Sequence, residues 1–136
     1  MIVVDASAAV ELLLNSDLAG KVGAALDAAG PSVTPVHFDA EVYKALRRAY
    51  LRKGLDRGRL HVAVERLQRF DAERIRITPF LPNVAGLADV IGAHDVFYVL
   101  LAISRRCPLL TCDLGLARAA RRLGVEVIAI DRGRPS

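Results

Sequence analysis

Met1-Ile-Val-Val-Asp5-Ala-Ser7-Ala opens the chain, and Leu109-Leu-Thr111-Cys-Asp113 repeats its pattern near the other end. Each is a short apolar run that stops on an acid and hands over to helix-forming residues. The β-branched Ile2, Val3 and Val4 favour an extended, buried backbone, and a run this short bounded by an acid reads as a strand. Asp5 and Asp113 then stand where a strand gives way to a helix. A carboxylate at such a place either caps free backbone N–H groups or binds a ligand. Two strands of a parallel sheet would deliver both acids to the same carboxyl edge, where open α/β sheets bind their ligands.

The remaining sequence continues the alternation. Strands are expected at Ile2–Val4, at Ser32–Thr34 closed by Pro35, at Arg74–Thr78 before Pro79, at Leu109–Cys112 and at Val125–Ala129. Helices are expected from Ala6 to about Leu14, and from a cap at Ser16 or Asp17 to Gly30-Pro31. Others run from Val36 to Lys53 before Gly54, from a cap at Asp56 to about Phe70, and from Leu81 to about Gly92. The last two are Asp95 to Arg106, apolar almost all round and therefore buried, and Leu114 to Leu123 before Gly124. No linker, repeat or low-complexity stretch interrupts the pattern. The expectation is one α/β domain over residues 1–136, a parallel sheet flanked by helices on both faces.

A chain of 136 residues that is 53% hydrophobic can bury a core and does not have the composition of a disordered one. Its longest apolar stretch, Val96–Ile103, is far short of the roughly 18 residues a membrane span needs. Met1 runs straight into a strand with no basic leader, so no secretory signal is expected. Cys107 and Cys112 make neither a disulfide framework nor a zinc pattern, which fits reduced thiols in a cytoplasmic protein. Charge is unevenly spread. Residues 1–43 hold six acids and only Lys21 as a base, whereas residues 44–76 hold eleven bases against four acids. Acidic strand ends beside a basic helical segment suit a polyanion approaching a metal site, although a solvated basic face is the plainer alternative.

Two further acids lie on helical segments. Glu41 leads Lys44, Arg48 and Arg52 within an arc of about 80° on one helix face, at 100° per residue. Asp39 points about 160° away from Glu41 and is the weaker candidate for the same cluster. Asp95 heads the most apolar helix, where capping is the ordinary role and leaves one carboxylate oxygen free. His94 beside it has no partner histidine at ligand spacing and is not read as a ligand. Ser7 and Thr111 flank the two strand-end acids and are candidates to orient them. Carboxylates that converge raise one another's pKa unless a cation sits between them, and hard oxygen donors without Cys or His suit Mg²⁺ or Mn²⁺.

These phrases have a family resemblance. Val4-Asp5-Ala-Ser7-Ala resembles the opening of PIN-domain ribonucleases, in particular the VapC toxins of bacterial toxin–antitoxin pairs. Pro35 followed by Phe38-Asp-Ala-Glu41-Val-Tyr-Lys-Ala-Leu46 is similar to their second acidic motif. His94-Asp95-Val-Phe-Tyr98-Val-Leu-Leu-Ala102 is similar to the third, and Leu110-Thr111-Cys-Asp113 with Leu116, Ala119 and Ala120 to the fourth. Some relatives carry another acid or Asn just past the fourth motif, where positions 115–117 here are Gly, Leu and Ala. The resemblance implies a small α/β/α domain and a Mg²⁺- or Mn²⁺-dependent endoribonuclease. Its acids would be Asp5, Glu41, Asp95 and Asp113, with Asp5, Asp95 and Asp113 as metal ligands. Lys44, Arg48 and Arg52 are candidates to contact RNA phosphates. A homodimer, a cognate VapB-type antitoxin, and a target among transfer or ribosomal RNAs are implied as well.

Three competing readings make contrary demands. A haloacid-dehalogenase-like phosphatase needs a second Asp two residues past the first, where this chain has Ser7. A response-receiver domain needs paired early acids and a Lys after the last core strand, and neither is found. A catalytically inactive PIN scaffold serving protein association has no need to keep four acids.

Overall fold

β1 (Ile2–Val4) is the middle strand of a five-stranded sheet in the order β3-β2-β1-β4-β5, with every pairing parallel. The computed structural model describes residues 1–132, so the last four residues of the expected domain, 133–136, lie outside the described residues. The other strands are β2 (Ser32–Pro35), β3 (Glu73–Ile75), β4 (Leu109–Thr111) and β5 (Val127–Ala129). The helices are α1 (Ala6–Leu13), α2 (Ala19–Ala29), α3 (Phe38–Leu51), α4 (Arg57–Gln68), the single turn α5 (Leu81–Val84), α6 (Asp95–Arg105) and α7 (Leu114–Arg122). No helix among the described residues is long and apolar enough to cross a membrane.

The central place of β1 follows from its composition. Ile2, Val3 and Val4 are all fully buried, and a strand apolar on both sides must be covered on both faces. From β1 the chain winds outward through β2 to β3, then crosses back to β4 and continues to β5. Crossovers of one hand running in opposite directions put their helices on opposite faces of the sheet. Accordingly α1 to α4 pack on one another, whereas α6 packs on β1 and β2 and α7 on β4 and β5. This is the expected α/β/α arrangement. The winding reverses between β1 and β4, which opens a crevice at their carboxyl ends.

Register fixes what stands at that crevice. Val3 pairs with Leu109 and Val4 with Leu110, and Asp5 N–H donates to the Leu110 carbonyl at 3.1 Å. Asp5 and Thr111 therefore leave the sheet side by side.

One expected element does not form as read. Instead of a helix from Leu81 to Gly92, residues 78–87 make a 3₁₀ turn (Thr78–Phe80), the single turn α5, and a second 3₁₀ turn (Ala85–Leu87). None of these residues is buried, and helices in proteins draw most of their stability from packing an apolar face. Pro79 and Pro82 also remove N–H donors within this stretch. Helix α2 starts without the expected side-chain cap. Its N-cap is Leu18, whose N–H donates to Ser16 Oγ at 3.2 Å.

Asp39 serves the fold. Arg74 of β3 donates from Nε to Asp39 Oδ2 at 3.1 Å and from Nη2 to Oδ1 at 2.9 Å. Its Nη1 also reaches the carbonyls of Phe70 and Ala72 at 2.8 and 2.7 Å. The planar guanidinium thus ties α3 to β3 and to the carbonyls just past the end of α4.

Candidate active site

Asp5 leaves β1 and becomes the N-cap of α1, accepting from Ala8 N–H at 3.1 Å. Ser7 Oγ donates to its Oδ1 and Thr111 Oγ1 to its Oδ2, each at 2.8 Å. Both hydroxyl protons are thereby used, so the 3.2 Å approach of Ser7 Oγ to Thr111 Oγ1 is close contact without a proton to share. The same hydroxyl oxygens accept backbone N–H groups, Cys112 onto Ser7 and Asp113 onto Thr111, each at 2.9 Å. The strand ends are thus sewn together around one carboxylate that is only 4% exposed. Burial pushes the Asp5 carboxyl up to about 6, against the pull of its three donors and with help from the negative charge of Asp113.

Asp113 caps α7 at the end of β4 and accepts Gly115 N–H at 2.9 Å and Leu116 N–H at 3.1 Å, both on Oδ1. A Cβ added at Gly115 would stand 3.2 Å from that oxygen, so a side chain there would crowd the cap.

Glu41 comes from the first turn of α3. Its Oε1 accepts from Tyr98 Oη at 2.7 Å and faces His37 Nε2 at 3.3 Å. Burial raises the Glu41 carboxyl, but hydrogen bonds from His37 and Tyr98 and the charge of His37 and His94 outweigh it, leaving it below the ordinary value. Asp95 stands in the first turn of α6. The N-cap is His94, without a side-chain cap bond, so the capping role expected for Asp95 is not what it does. Burial holds its carboxyl above the ordinary value, reinforced by Asp113 and Glu41 and opposed by His94 and His37.

All four acids line one cleft of about 440 Å³, together with Ser7, Lys44 and Arg48. Arg52 is at the C-cap of α3 and is not part of that lining, and Thr111 lies behind Asp5, fully buried. A larger groove of about 820 Å³ opens by Met1, Pro31 and Ser32, at the opposite end of the strands from the acids. The acid cleft is the one with converging, perturbed carboxylates, and that outweighs volume.

Three residues of this neighbourhood escape the sequence reading. Glu11 and Tyr98 line the cleft, and His37 lies behind Glu41. Each stands at helical spacing from a residue already singled out: Glu11 four past Ser7, Tyr98 three past Asp95, His37 four before Glu41. That spacing places side chains on a shared face and was the available signal.

Among the described residues, no three His, Cys, Asp or Glu side chains sit close enough to enclose an ion by themselves. The donor set nevertheless fits a hard divalent cation. Mg²⁺ is commonly held by one or two carboxylates and completes its shell with water and substrate phosphate. Asp5 and Asp95 are shifted upward by burial first and then by Asp113, joined at Asp95 by Glu41, so nearby positive charge does not offset the burial of either. The thiols do not compete: burial, then Asp5 and Glu11, push Cys112 up to about 11.

Comparison with known proteins gives the same architecture a family. The PIN domain family matches residues 2–122, a span that contains all four acids. The chain is a PIN domain. Ribonuclease VapC12 of Mycobacterium tuberculosis is 35% identical over 131 residues, covering 95% of this chain and 100% of that protein. Ribonuclease VapC3 of the same organism is 38% identical over 119 residues, covering 87% and 86%. VapC ribonuclease Mb0985 of Mycobacterium bovis is 33% identical over 117 residues, covering 86% and 89%. Against each of these three relatives the match covers 86% or more of both chains.

Proposed function

We propose that this PIN domain, spanning residues 1–136, is a divalent-metal-dependent endoribonuclease. It acts in the cytoplasm as the toxin of a VapBC-type pair and cuts transfer or ribosomal RNA until a VapB-type antitoxin covers its cleft. One observation carries the reading: β1, α3, α6 and β4 each bring a carboxylate to the same crevice, with Lys44 and Arg48 on its wall. The VapC names of its relatives support the choice of RNA as substrate.

Asp5, Asp95 and Asp113 would hold Mg²⁺ or Mn²⁺, directly or through bound water. The chemistry such an ion supplies when bound is activation of water and relief of charge on the phosphoryl oxygens. Asp5 is locked by Ser7 and Thr111, so its position precedes any ligand. Glu41, kept ionised, completes the shell around the ion or takes a proton from the attacking water. Lys44 and Arg48 receive phosphate oxygens at the cleft, and Arg52 meets the backbone further along the same helix. Ser7, where a phosphatase would need its second acid, is occupied in holding Asp5.

Cleavage of RNA in Mg²⁺ or Mn²⁺ should stop entirely in excess EDTA and return when the metal is restored. Cutting that persists in chelator would refute the reading. Replacing Arg48 and Arg52 with Ala should flatten the salt dependence of RNA binding by roughly 0.7 log–log units per lost phosphate contact on a single strand, and an unchanged slope would mark a solvated face. The assembly that belongs to this reading is a homodimer through helical faces, in which a second copy would cover the exposed Leu81 and Val90 of the 81–92 segment. A sedimentation mass at the single-chain 14.7 kDa, at micromolar concentration, would exclude it.

A further inference from the structure

His37 precedes α3 and Tyr98 lies on α6, yet both meet one atom. Glu41 Oε1 accepts the Tyr98 hydroxyl at 2.7 Å and lies 3.3 Å from His37 Nε2. The same Nε2 lies 3.1 Å from the backbone carbonyl of His94, the residue before Asp95. Both neighbours of Nε2 are acceptors, so it carries hydrogen and donates to each. His37 Nδ1 is buried without a hydrogen-bond partner among the described residues, so the polar contacts of the ring run through Nε2. The ring is seated edge-on against Phe97 and Tyr98, with centroids 5.6 and 5.3 Å away, and tilted against His94 at 5.8 Å. Tyr98 itself is 1% exposed. Two fixed donors therefore clamp the helix that carries Glu41 to the turn that carries Asp95, and they leave Glu41 Oε2 without a bond among the described residues.

We propose that His37 and Tyr98 are positioning residues: through Glu41 Oε1 and the His94 carbonyl they set the spacing between Glu41 and Asp95, and with it the fit of a divalent cation among the acids. This deepens the nuclease reading and rests on it. Neither residue touches the ion or the RNA. Each acts by fixing a carboxylate, as partners of metal ligands commonly do.

The test is Mn²⁺ affinity of the full chain by calorimetric titration, alongside single-turnover RNA cleavage across Mn²⁺ concentration. Tyr98→Phe keeps the ring and removes only the hydroxyl, and His37→Phe keeps the ring contacts and removes the N–H. Each is expected to weaken Mn²⁺ binding about tenfold, the low end for residues that orient metal ligands, and to raise the Mn²⁺ needed for half-maximal cleavage alike. His37→Gln, which restores a donor at similar reach, should recover most of the loss. In a Glu41→Ala background, Tyr98→Phe should cost little further, because the carboxylate that its hydroxyl holds is gone. Wild-type affinity in both Phe variants would overturn the proposal, as would a Tyr98→Phe loss that persists undiminished without Glu41. Failure of the wild-type chain to bind Mn²⁺ would overturn it too. If Tyr98→Phe does not fold, the contrast between His37→Phe and His37→Gln decides. A wild-type chain that binds Mn²⁺ but cuts no RNA refutes the nuclease reading alone, and the affinities still judge the positioning.

Discussion

Asp5→Asn is expected to lower RNA cleavage by more than roughly a hundredfold, the upper end of what losing a residue that merely orients a ligand costs, while the chain stays folded. Asn keeps the shape of the carboxylate and its bonds to Ala8 N–H and Ser7, and the Thr111 hydroxyl can turn to face the new amide. What it loses is the charge that holds a cation. Stability should move the other way. Asp5 has a folded-state pKa of about 6 against an ordinary value of 3.8. A group raised on folding contributes stability below its unfolded value, and that contribution is lost as pH rises through the folded one. Across that window the metal-free wild type should lose on the order of 3 kcal/mol, at 1.36 kcal/mol per pKa unit. The Asn variant has no such slope, so at pH 7.5 in EDTA it should unfold at equal or higher urea than wild type, and at pH 4 the difference should vanish. Asp95→Asn should lose activity in the same way. An Asp5→Asn protein that still cuts RNA, or that is less stable than wild type at pH 7.5, would remove Asp5 from the role assigned to it.

How far this site was legible in the sequence depended on how local each relationship was. Strand, acid and helix start are adjacent in Val3-Val4-Asp5 and Leu110-Thr111-Cys112-Asp113, so both edges could be read from neighbouring residues. Glu41, Lys44 and Arg48 were legible from helix angle. Arg52 shares that angle but not the cleft, because an arc takes no account of rise: at 1.5 Å per residue it stands about 16 Å along α3 from Glu41. The bond from Tyr98 to Glu41 joins residues 57 apart and exists only because α6 crosses back over the sheet. Nothing in the pattern of either helix announces it. The false helix over 81–92 has a related cause. Leu81, Val84 and Leu87 repeat at helical spacing, but no neighbouring layer buries them, and spacing without burial does not hold a helix.

Metal affinity should fall about tenfold for each pH unit below the pKa of the acid that must lose a proton to bind, because proton and cation then compete for one carboxylate. For Asp5 that boundary is about 6. Asp95 is raised in the same direction, which can only steepen the fall, whereas Glu41 is lowered and stays ionised through the window. Mn²⁺ affinity should therefore be flat above about pH 7 and weaker by about an order of magnitude at pH 5, with proton release as the ion binds. The effect feeds back on the fold. At a hundred times its dissociation constant a ligand specific for the native state adds about 2.7 kcal/mol, close in size to what ionising Asp5 takes away. The metal-bound protein should thus lose most of the pH slope seen without metal, since the cation supplies the counter-charge that burial denies. Calorimetric titration at pH 5, 6 and 7, in buffers of different ionisation enthalpy, reads both affinity and proton release. An affinity that does not change from pH 5 to 7, with no proton released, would mean that the ion does not bind at Asp5. The buried acid would then be a part of the fold and not of the chemistry.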